Sequence, residues 1–475
     1  MVVVACSFGF REKSALKYDV VIVGAGPSGI FSALELAEKT DLQVLMLDKG
    51  PDIDQRKCPA SRGFECLHCE PCLLLSGWGG AGAFSDGKLT LSAEVGGWLN
   101  QYVSKEELNR LIEYVDSVYL KFGATERVYG ENTEKVEDIE RKASLAGLKL
   151  IRQKIRHMGT ERCAETLRKM RQQLNKRVEV RPKSEVKGLI VKGKTIEGVE
   201  TVNGESVSGR YVVVAPGRSG AEWLQTEAQT LGLRTLNNPV DVGIRVEVLS
   251  SVMEELTKAL YEPKFIYYSK FFDDQVRTFC VAPYGEVITE SYNGVLTVNG
   301  QSYAERKTKN TNFAILVSTS FTAPFKEPIA YGKYLARLSN LLSGGVMIQR
   351  LGDLDSGRRS TPERIDRSIV NPTLKNATPG DLSFVLPYRY LVDIREMLEA
   401  LDKITPGMHS RDTLLYGIEV KFYSSRLQLS NSLETRVHNL FSVGDGAGVT
   451  RGLVQASASG IIVAKEIMKR ENSKP

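Results

Sequence analysis

The pattern of apolar and polar residues near the N-terminus predicts one βαβ unit. Residues 18–23 form a short β-branched run that ends at Gly24, which is typical of a strand buried on both faces. Residues 27–39 then place Ile30, Phe31 and Leu34 at helical spacing, and residues 43–47 read as a second buried strand. A parallel sheet is the natural setting for these elements.

The rest of the chain changes pattern several times. Residues 104–170 are helical and charged, with Leu108, Leu111, Ile112 and Val115 on one apolar face. Residues 177–215 predict short antiparallel strands, because glycines punctuate them at turn positions. Residues 239–405 mix aromatic-rich strands with loops and predict a separate, substrate-facing domain. Residues 440–469 return to a strand, a glycine-rich turn and a helix of small residues.

The glycine turn after the first strand predicts a dinucleotide site. Residues 24–29 read G-x-G-x-x-G between strand and helix, as Gly24, Ala25, Gly26, Pro27, Ser28 and Gly29. Gly24 permits the tight turn, Gly26 lets a pyrophosphate approach, and Gly29 allows close packing of helix and strand. Asp48, nineteen residues beyond Gly29 and followed by Lys49, is placed to accept hydrogen bonds from ribose hydroxyls. This motif alone does not separate NAD from FAD.

Two later segments favour FAD. Residues 439–443 predict a strand that enters Gly444 and Asp445, and a helix follows from Gly452, Leu453 and Val454. Residues 212–217 form another strand that ends in a turn of small residues, including Ala215 and Gly217. In this order the three elements resemble FAD-binding oxidoreductases of the glutathione reductase superfamily. The resemblance implies that Asp445 binds the flavin ribityl chain and that the late helix begins at the pyrophosphate or the pyrimidine end of the flavin.

The segment 77–88 is similar to a narrower group of FAD-dependent dehydrogenases that carry a GGAG-x-FSDGK motif. The likeness continues through residues 156–160, 240–247 and 444–452. It implies that a loop lies against the flavin ring, and that Lys88 stabilises negative charge on the reduced flavin. The residues of this loop assigned to the cofactor are Gly79, Gly80, Ala81, Gly82, Ser85, Asp86 and Gly87.

Residues 77–82 also satisfy G-x-G-x-x-G, but the polar, glycine-broken residues that follow do not predict the helix that a pyrophosphate needs. A second nucleotide site for NAD(P)H is therefore not predicted here. The electrons would come from the substrate, from a transiently bound nicotinamide or from a partner protein.

Four cysteines fall within fifteen residues: Cys58, Cys66, Cys69 and Cys72. They offer ligands for a [4Fe-4S] cluster, or for zinc with His68 as a substitute ligand. Cys69 and Cys72 also form a C-x-x-C pair suited to thiol redox chemistry. Cysteines without any ligand are the fourth alternative, and the sequence leaves all four open.

Few residues are diagnostic for chemistry on the substrate, because a flavin itself accepts the hydride. His157 is the first candidate for proton transfer, against a structural, hydrogen-bonded histidine. Arg358 and Glu419 lie in charged segments beside glycine or aromatic residues and are candidates for substrate contact, against a surface ion-pair role. Arg451 follows the late Gly-Asp turn and is a candidate for flavin phosphate or a substrate carboxylate.

Composition adds limits on partners and location. The net charge of +6 is spread through 475 residues, so nucleic acid is not an expected partner. The sequence shows no secretory signal and no apolar run of roughly 20 residues, and its cysteine usage suits a reducing compartment. We therefore expect a cytoplasmic protein that does not enter a membrane.

These observations predict an α/β protein with a Rossmann-like FAD-binding domain built from discontinuous segments, plus a mixed α+β substrate domain. The expected segments are 17–95, 155–240 and 408–475 for FAD, 96–154 for a helical insertion, and 241–407 for the substrate domain. The predicted function is an FAD-dependent oxidoreductase acting on a small organic substrate, with an electron-transfer partner as an option. The alternatives are a flavin-dependent RNA- or protein-modifying factor, a non-catalytic electron-relay flavoprotein, and a hydroxylase.

Overall fold

A computed structural model describes residues 16–58, 67, 69–85, 87–131, 133–236, 240–292, 294–303, 306–319, 327–421 and 426–473. Its helices, in chain order, are α1 (Pro27–Lys39), α2 (Lys105–Lys121), α3 (Glu134–Leu145), α4 (Thr160–Leu174), α5 (Ala221–Thr230), α6 (Ser250–Leu260), α7 (Pro328–Ser343), α8 (Leu351–Asp355), α9 (Pro362–Asp366), α10 (Tyr388–Asp402) and α11 (Leu453–Asn472).

The strands are shorter and more numerous. In chain order they are β1 (Leu16–Val23), β2 (Val44–Leu47), β3 (Lys88–Leu91), β4 (Val128–Tyr129), β5 (Lys149–Leu150), β6 (Lys154–His157), β7 (Val178–Arg181), β8 (Val186–Lys192), β9 (Thr195–Thr201), β10 (Ser206–Val214), β11 (Thr235–Leu236), β12 (Val240–Leu249), β13 (Phe265–Tyr268), β14 (Gln275–Ala282), β15 (Glu286–Tyr292), β16 (Val295–Gln301), β17 (Asn310–Thr319), β18 (Met347–Arg350), β19 (Thr378–Pro379), β20 (Leu414–Lys421), β21 (Arg426–Leu427) and β22 (Leu440–Ser442).

A first sheet contains the predicted βαβ unit. Its strands lie in the order β7-β2-β1-β10-β9-β8. Strand β9 pairs with residues 206–208 at the start of β10, and β22 pairs with residues 212–214 at its end. Strands β7, β2, β1, β10 and β22 are parallel, whereas β9 is antiparallel to both β10 and β8. The strand β2 is buried along its whole length, as expected for a sheet covered on both faces. This confirms the α/β fold class.

A second, largely antiparallel sheet follows the order β19-β18-β20-β12-β17-β14-β13-β5. Helices α3, α6, α7 and α10 contribute to its hydrophobic core, whereas α1, α2, α4 and α11 contribute to the core of the first sheet. These are the two larger hydrophobic cores of the described residues. A smaller third cluster includes Val287 of β15 and Val298 of β16, which pair as a separate two-stranded sheet. In the first sheet, β1, β10 and β22 run parallel.

The structure divides two predicted segments differently. The expected helical insertion supplies α2 to the first core, but α3 and β5 to the second. The segment expected to begin at residue 408 opens with β20, which lies between β18 and β12 in the second sheet. A strand buried on both faces has the same pattern in either sheet, so its sequence does not identify its neighbours.

The stretch 104–170 is also less helical than its pattern predicts. The short strands β4, β5 and β6 lie between its helices, and β6 pairs with β3 while β5 pairs with β13. Strands of two to four residues carry no local period, because distant partners stabilise them. Within the ranges described, no helix combines the length and hydrophobicity needed to cross a bilayer.

Candidate functional site

A cavity of about 440 Å³ brings the predicted cofactor segments together. Its walls include the turn after β1, the residues after β2, the loop before β3, and the turns that follow β10 and β22. Residues of β14, β15, β16 and β20 line it as well, so both sheets contribute. Its size lies within the roughly 300–1,000 Å³ of ligand-binding cavities.

The three glycines of the first turn differ in how closely other atoms surround them. A Cβ atom at Gly24, which has φ +106°, would lie 2.1 Å from the Ala215 carbonyl oxygen, and one at Gly29 would lie 2.1 Å from the Gly24 carbonyl oxygen. A Cβ at Gly26 would meet no atom within 4 Å. Gly24, Gly26, Pro27 and Ser28 line the cavity, whereas Gly29 packs behind it. Protein packing therefore explains Gly24 and Gly29, but not Gly26.

Asp48 connects the first turn to the end of β2. Its two carboxylate oxygens accept hydrogen bonds from the Ala25 and Gly50 amides, both at 2.8 Å. Burial raises the pKa of Asp48, although these amides oppose the shift. Asp48 and Lys49 both line the cavity, and Lys49 donates to the Ser219 carbonyl at 3.2 Å. The carboxylate is thus fixed beside the turn, in the place expected for a ribose contact.

The loop before β3 contributes Gly80, Ala81, Gly82 and Ser85 to the cavity. Gly79 and Gly87 instead pack against α4, because a Cβ would lie 2.5 Å from a Leu167 methyl and 2.4 Å from the Cys163 sulfur, respectively. Asp86 lies outside the described residues. The segment Gly80–Phe84 is one short 3₁₀ helix, and no α-helix follows it before β3 among the residues described there. This geometry agrees with reading the loop as a wall of the site and not as a second dinucleotide turn.

A buried guanidinium shapes this loop. Arg56 donates hydrogen bonds to the carbonyls of Leu73, Leu74, Trp78 and Gly80, at 2.6 to 2.8 Å from the terminal nitrogens and 3.1 Å from Nε. Burial lowers the pKa of Arg56 to about 10, so it stays charged at neutral pH. These contacts order the backbone around the cavity.

The turns after β10 and β22 meet the first turn from the other side. Ala215, Gly217, Gly444 and Asp445 all line the cavity. Asp445 accepts a hydrogen bond from the Thr450 hydroxyl at 2.7 Å, and burial raises its pKa. The late helix begins beside this carboxylate: Gly452 and Leu453 line the cavity, while Val454 is buried in the protein core.

Two long helices begin at this cavity. Neither α1 nor α11 has a side-chain cap or an acidic residue in its first turn, so the first amides of each helix need other partners. The helices pack closely, since the Ser32 hydroxyl donates to the Gly460 carbonyl at 3.0 Å and a Cβ at Gly460 would lie 2.1 Å from the Ser28 carbonyl oxygen. Two helix N-termini at one cavity are well suited to the negative charges of a pyrophosphate.

Lys88 and His157 lie on neighbouring strands but differ in access to the cavity. Lys88 lines it, donates to the Val281 carbonyl at 3.0 Å and pairs with Glu262 at 3.2 Å. His157 lies opposite Lys88 in the β3–β6 pair, does not line the cavity, and stacks on Tyr261 with ring centroids 4.6 Å apart. The structure therefore favours the structural alternative for His157, and direct proton transfer by it is not supported.

Two other predicted catalytic residues also lie outside the cavity wall. Arg358 is 48% exposed and pairs with Asp353 at 2.9 Å on the short segment after α8. Glu419 is fully buried and pairs with Arg245 at 3.3 Å, so neither the expected substrate contact nor the surface ion pair describes it. Glu419 and Lys421 lie two residues apart on one face of β20, where Glu419 is enclosed and Lys421 lines the cavity.

Several cavity residues were not selected from the sequence. Phe279, Cys280 and Lys421 belong to β14 and β20 of the second sheet, whereas Glu290 and Asn299 belong to the separate hairpin of β15 and β16. One available signal was the placement of polar residues inside otherwise apolar strands. Arg451, which was considered, lines the cavity with its guanidinium 4.1 Å from the Trp98 ring centroid.

The cysteine segment is only partly described. Cys58 is buried, Cys69 is half-buried and Cys72 is exposed, while Cys66 and His68 lie outside the described residues. No group of three His, Cys, Asp or Glu side chains in the described ranges is arranged to hold a metal ion. Cys58, Cys69 and Cys72, the described members of the possible four-cysteine ligand set, therefore do not form a metal site among the described residues.

Comparisons with known proteins support the cofactor. Residues 239–422 match a family described as FAD-dependent protein, C-terminal domain-like. An uncharacterised protein of Clostridium beijerinckii is 27% identical, and the alignment covers 96% of this chain and 81% of that protein. The family match supports the predicted cofactor, FAD.

Solved structures are more distant. L-Proline dehydrogenase from P. horikoshii is 14% identical, with 96% of this chain and 94% of that chain covered, at a TM-score of 0.41. Glycine oxidase from Geobacillus kaustophilus is 13% identical, with 96% and 95% covered, at a TM-score of 0.38. Likenesses of this size carry no conclusion about the substrate of this chain.

Proposed function

We propose that this chain transfers a hydride or electrons between a small organic substrate and FAD. One observation carries the proposal: the first glycine turn, the late acidic turn and residues of β14, β15, β16 and β20 line the same cavity. A flavin enzyme needs one region that binds the cofactor and a second region that binds the substrate, because bound FAD supplies the isoalloxazine that accepts the hydride.

The described residues suggest how the cofactor is held. The uncapped N-termini of α1 and α11 are suited to its phosphates, and Asp48 to the adenosine ribose. Asp445 would bind the ribityl chain. At the other end, Lys88 is a cation whose hydrogen bond to the Val281 carbonyl fixes it in the wall, where it can oppose negative charge.

We also propose that the chain belongs to the dehydrogenase group with the GGAG-x-FSDGK motif, within the glutathione reductase superfamily. The support is the motif at residues 79–88 and the order of the three cofactor segments along the chain. The parallel strands β1, β10 and β22, whose following turns line one cavity, are compatible with this assignment.

A metal centre at the cysteine segment remains a separate hypothesis, supported by the spacing of Cys58, Cys66, Cys69 and Cys72 alone. No catalytic step is assigned to it. Metal and sulfide analysis of anaerobically purified protein tests it. Stoichiometric iron with sulfide, or stoichiometric zinc, would support the centre, whereas a metal-free sample with all seven thiols titratable would reject it.

The central proposal is tested by purifying the protein and recording its flavin spectrum, before and after adding FAD. Organic metabolites are then screened anaerobically for bleaching of the bound flavin. We expect at least one class of compound to reduce it, and we expect the exposed-site variant Arg358→Gln to behave as wild type. A protein that retains no FAD under any condition would refute the proposal.

A further inference from the structure

One end of the cavity carries two opposite charges that are not paired with each other. Lys421 of β20 and Glu290 of β15 both line this end. The nearest salt bridge of Lys421 is with Glu419, at 2.9 Å, and Glu290 accepts a hydrogen bond from Asn299 at 3.1 Å. No ion pair within 4.0 Å joins Lys421 to Glu290. Glu419 therefore holds Lys421 and Asn299 holds Glu290, and both charged side chains line the same cavity.

The Lys421 side has an excess of positive charge. Glu419 is shared between Lys421 and Arg245, and both Arg245 and Glu419 are fully buried. Arg245 is fixed by further hydrogen bonds to the Asn312 side chain at 2.8 Å and the Cys280 carbonyl at 2.6 Å. One carboxylate cannot neutralise two cations, so this cluster has a net charge of about +1 by formal counting, and Lys421 is its cavity-facing member.

The charge on Lys421 is retained despite its position. Burial alone would lower the pKa of Lys421, but the charges of Glu419 and Glu290 outweigh that effect and raise it. The side chain is only 14% exposed, so water screens it weakly. An anionic ligand group that contacts this ammonium would be poorly screened by water. The difference in affinity between an anionic and a neutral ligand group is therefore larger here than at an exposed lysine.

Apolar side chains also line the cavity. The Phe279 ring centroid lies 5.8 Å from the Lys421 Nζ, Val420 precedes Lys421 in β20, and Trp98 lines the cavity from the loop after β3. A ligand that fits this end would carry a negative group, a positive group and an apolar body. An anion without an amine would meet the negative charge of Glu290, and an amine without an anion would meet the positive charge of Lys421.

We propose that this end binds an amino acid or a similar zwitterion, with its carboxylate at Lys421, its ammonium at Glu290 and an apolar side chain against Phe279 and Val420. The inference rests on the proposed function, because it names the substrate class of the same flavin site. It assigns Lys421 and Glu290 to substrate binding and Arg245 and Glu419 to positioning Lys421.

The test uses full-length holoprotein and two sets of probes. L-Leucine and L-phenylalanine carry both charges; 4-methylpentanoate and 3-phenylpropionate lack the amine; L-leucinamide and L-phenylalaninamide lack the carboxylate. Binding is measured from the perturbation of the flavin spectrum and, independently of flavin, from the shift in thermal unfolding temperature. We expect both amino acids to bind at least tenfold more tightly than their partial analogues, since each missing charged contact is worth roughly ten- to a hundredfold.

Variants then assign each charge. Lys421→Gln is expected to remove the preference for the carboxylate over the amide, and Glu290→Gln to remove the preference for the amine-bearing probe. Lys465→Gln and Glu255→Gln, on exposed helix faces, are the matched controls and should bind like wild type. Flavin content and dithionite reduction are recorded for every variant.

The outcomes separate the two proposals. Equal binding of zwitterions and partial analogues, or preferences that survive both substitutions, would overturn the zwitterion site. So would wild-type protein that holds reducible flavin but responds to none of the six probes. Absence of flavin would instead refute the proposed function, while the thermal shifts would still decide whether amino acids bind here.

Discussion

Replacing Gly26 by alanine should separate cofactor binding from folding. Gly26 has φ −79° and ψ −177°, an ordinary extended conformation that alanine adopts freely. A Cβ atom at this position would meet no protein atom within 4 Å, and the residue lines the cavity. The protein itself therefore has room for the methyl group, which would occupy space needed by a bound pyrophosphate.

The substitution should affect the stability of the apoprotein and its affinity for FAD in opposite directions. At a position whose backbone already suits alanine, the substitution restricts the unfolded chain and stabilises a protein by about 0.4–1 kcal/mol. Holding the pyrophosphate away from the turn would lose at least one hydrogen bond to a charged group, worth about 1.5–3 kcal/mol. We therefore expect unchanged or slightly higher stability of the apoprotein, together with a Kd for FAD raised roughly ten- to a hundredfold.

Gly29→Ala is the matched contrast in the same turn. Its Cβ would lie 2.1 Å from the Gly24 carbonyl oxygen and 3.2 Å from a Ile22 methyl, so backbone must move. Overpacking of this kind costs about 1–3 kcal/mol or more. Gly29→Ala should thus destabilise the apoprotein before any cofactor is added, which Gly26→Ala should not.

Urea unfolding of the two apoproteins, followed by circular dichroism, measures the first effect, and quenching of FAD fluorescence on titration measures the second. The reasoning is refuted if Gly26→Ala binds FAD with wild-type affinity. It is equally refuted if the Gly26→Ala apoprotein loses as much stability as the Gly29→Ala apoprotein, because the open space at Gly26 would then not exist.

Three further predictions follow from other parts of the molecule. Asp445→Asn should raise the Kd for FAD roughly tenfold with little change in apoprotein stability, as measured by the same titration; an unchanged Kd would remove Asp445 from the site. Glu419→Gln should lower the free energy of unfolding by about 3–5 kcal/mol, because it leaves Arg245 buried without its charge partner, whereas Lys105→Gln, in an ion pair with Glu94 that is exposed on both sides, is a near-neutral control. Burial and the neighbouring Asp274 raise the pKa of Asp393 to about 6. The folded state therefore holds this proton more tightly than the unfolded state, so its contribution to stability is present at low pH and is lost as pH rises from about 4 to 6. Asp393→Asn should flatten that part of the stability profile in urea unfolding, and a profile unchanged by the substitution would show that another group titrates.

The cofactor half of the site was readable from sequence because its determinants are local. The first turn, with Gly24, Gly26 and Gly29, can be recognised from the strand before it and the helix after it. Asp445 could be placed by the same strand, turn and helix order. Each of these motifs encodes its own geometry, so the structure brought together segments that had been chosen separately.

The substrate half was not readable in this way. Lys421 and Cys280 come from β20 and β14, whose places in the second sheet depend on pairing with β12 and β17. Glu290 comes from the separate β15–β16 hairpin, and no local pattern indicates how that hairpin packs beside the second sheet. Within β20 no local pattern separates Glu419 from Lys421, because residues two apart share one face of a strand and the pattern does not indicate how deeply each is buried. Their depths differ: Glu419 is enclosed with Arg245, while Lys421 retains contact with the cavity.

This division also indicates how specificity could change without loss of the cofactor. The N-termini of α1 and α11 and the carboxylates of Asp48 and Asp445 are supplied by the first sheet and its helices. In the proposed zwitterion site, the charges that select the substrate come from β20 of the second sheet and from the β15–β16 hairpin. Because Arg245 and Glu419 fix Lys421 from within that sheet, substitutions at Lys421 and Glu290 should alter the preferred compound while leaving the affinity for FAD near that of the wild type.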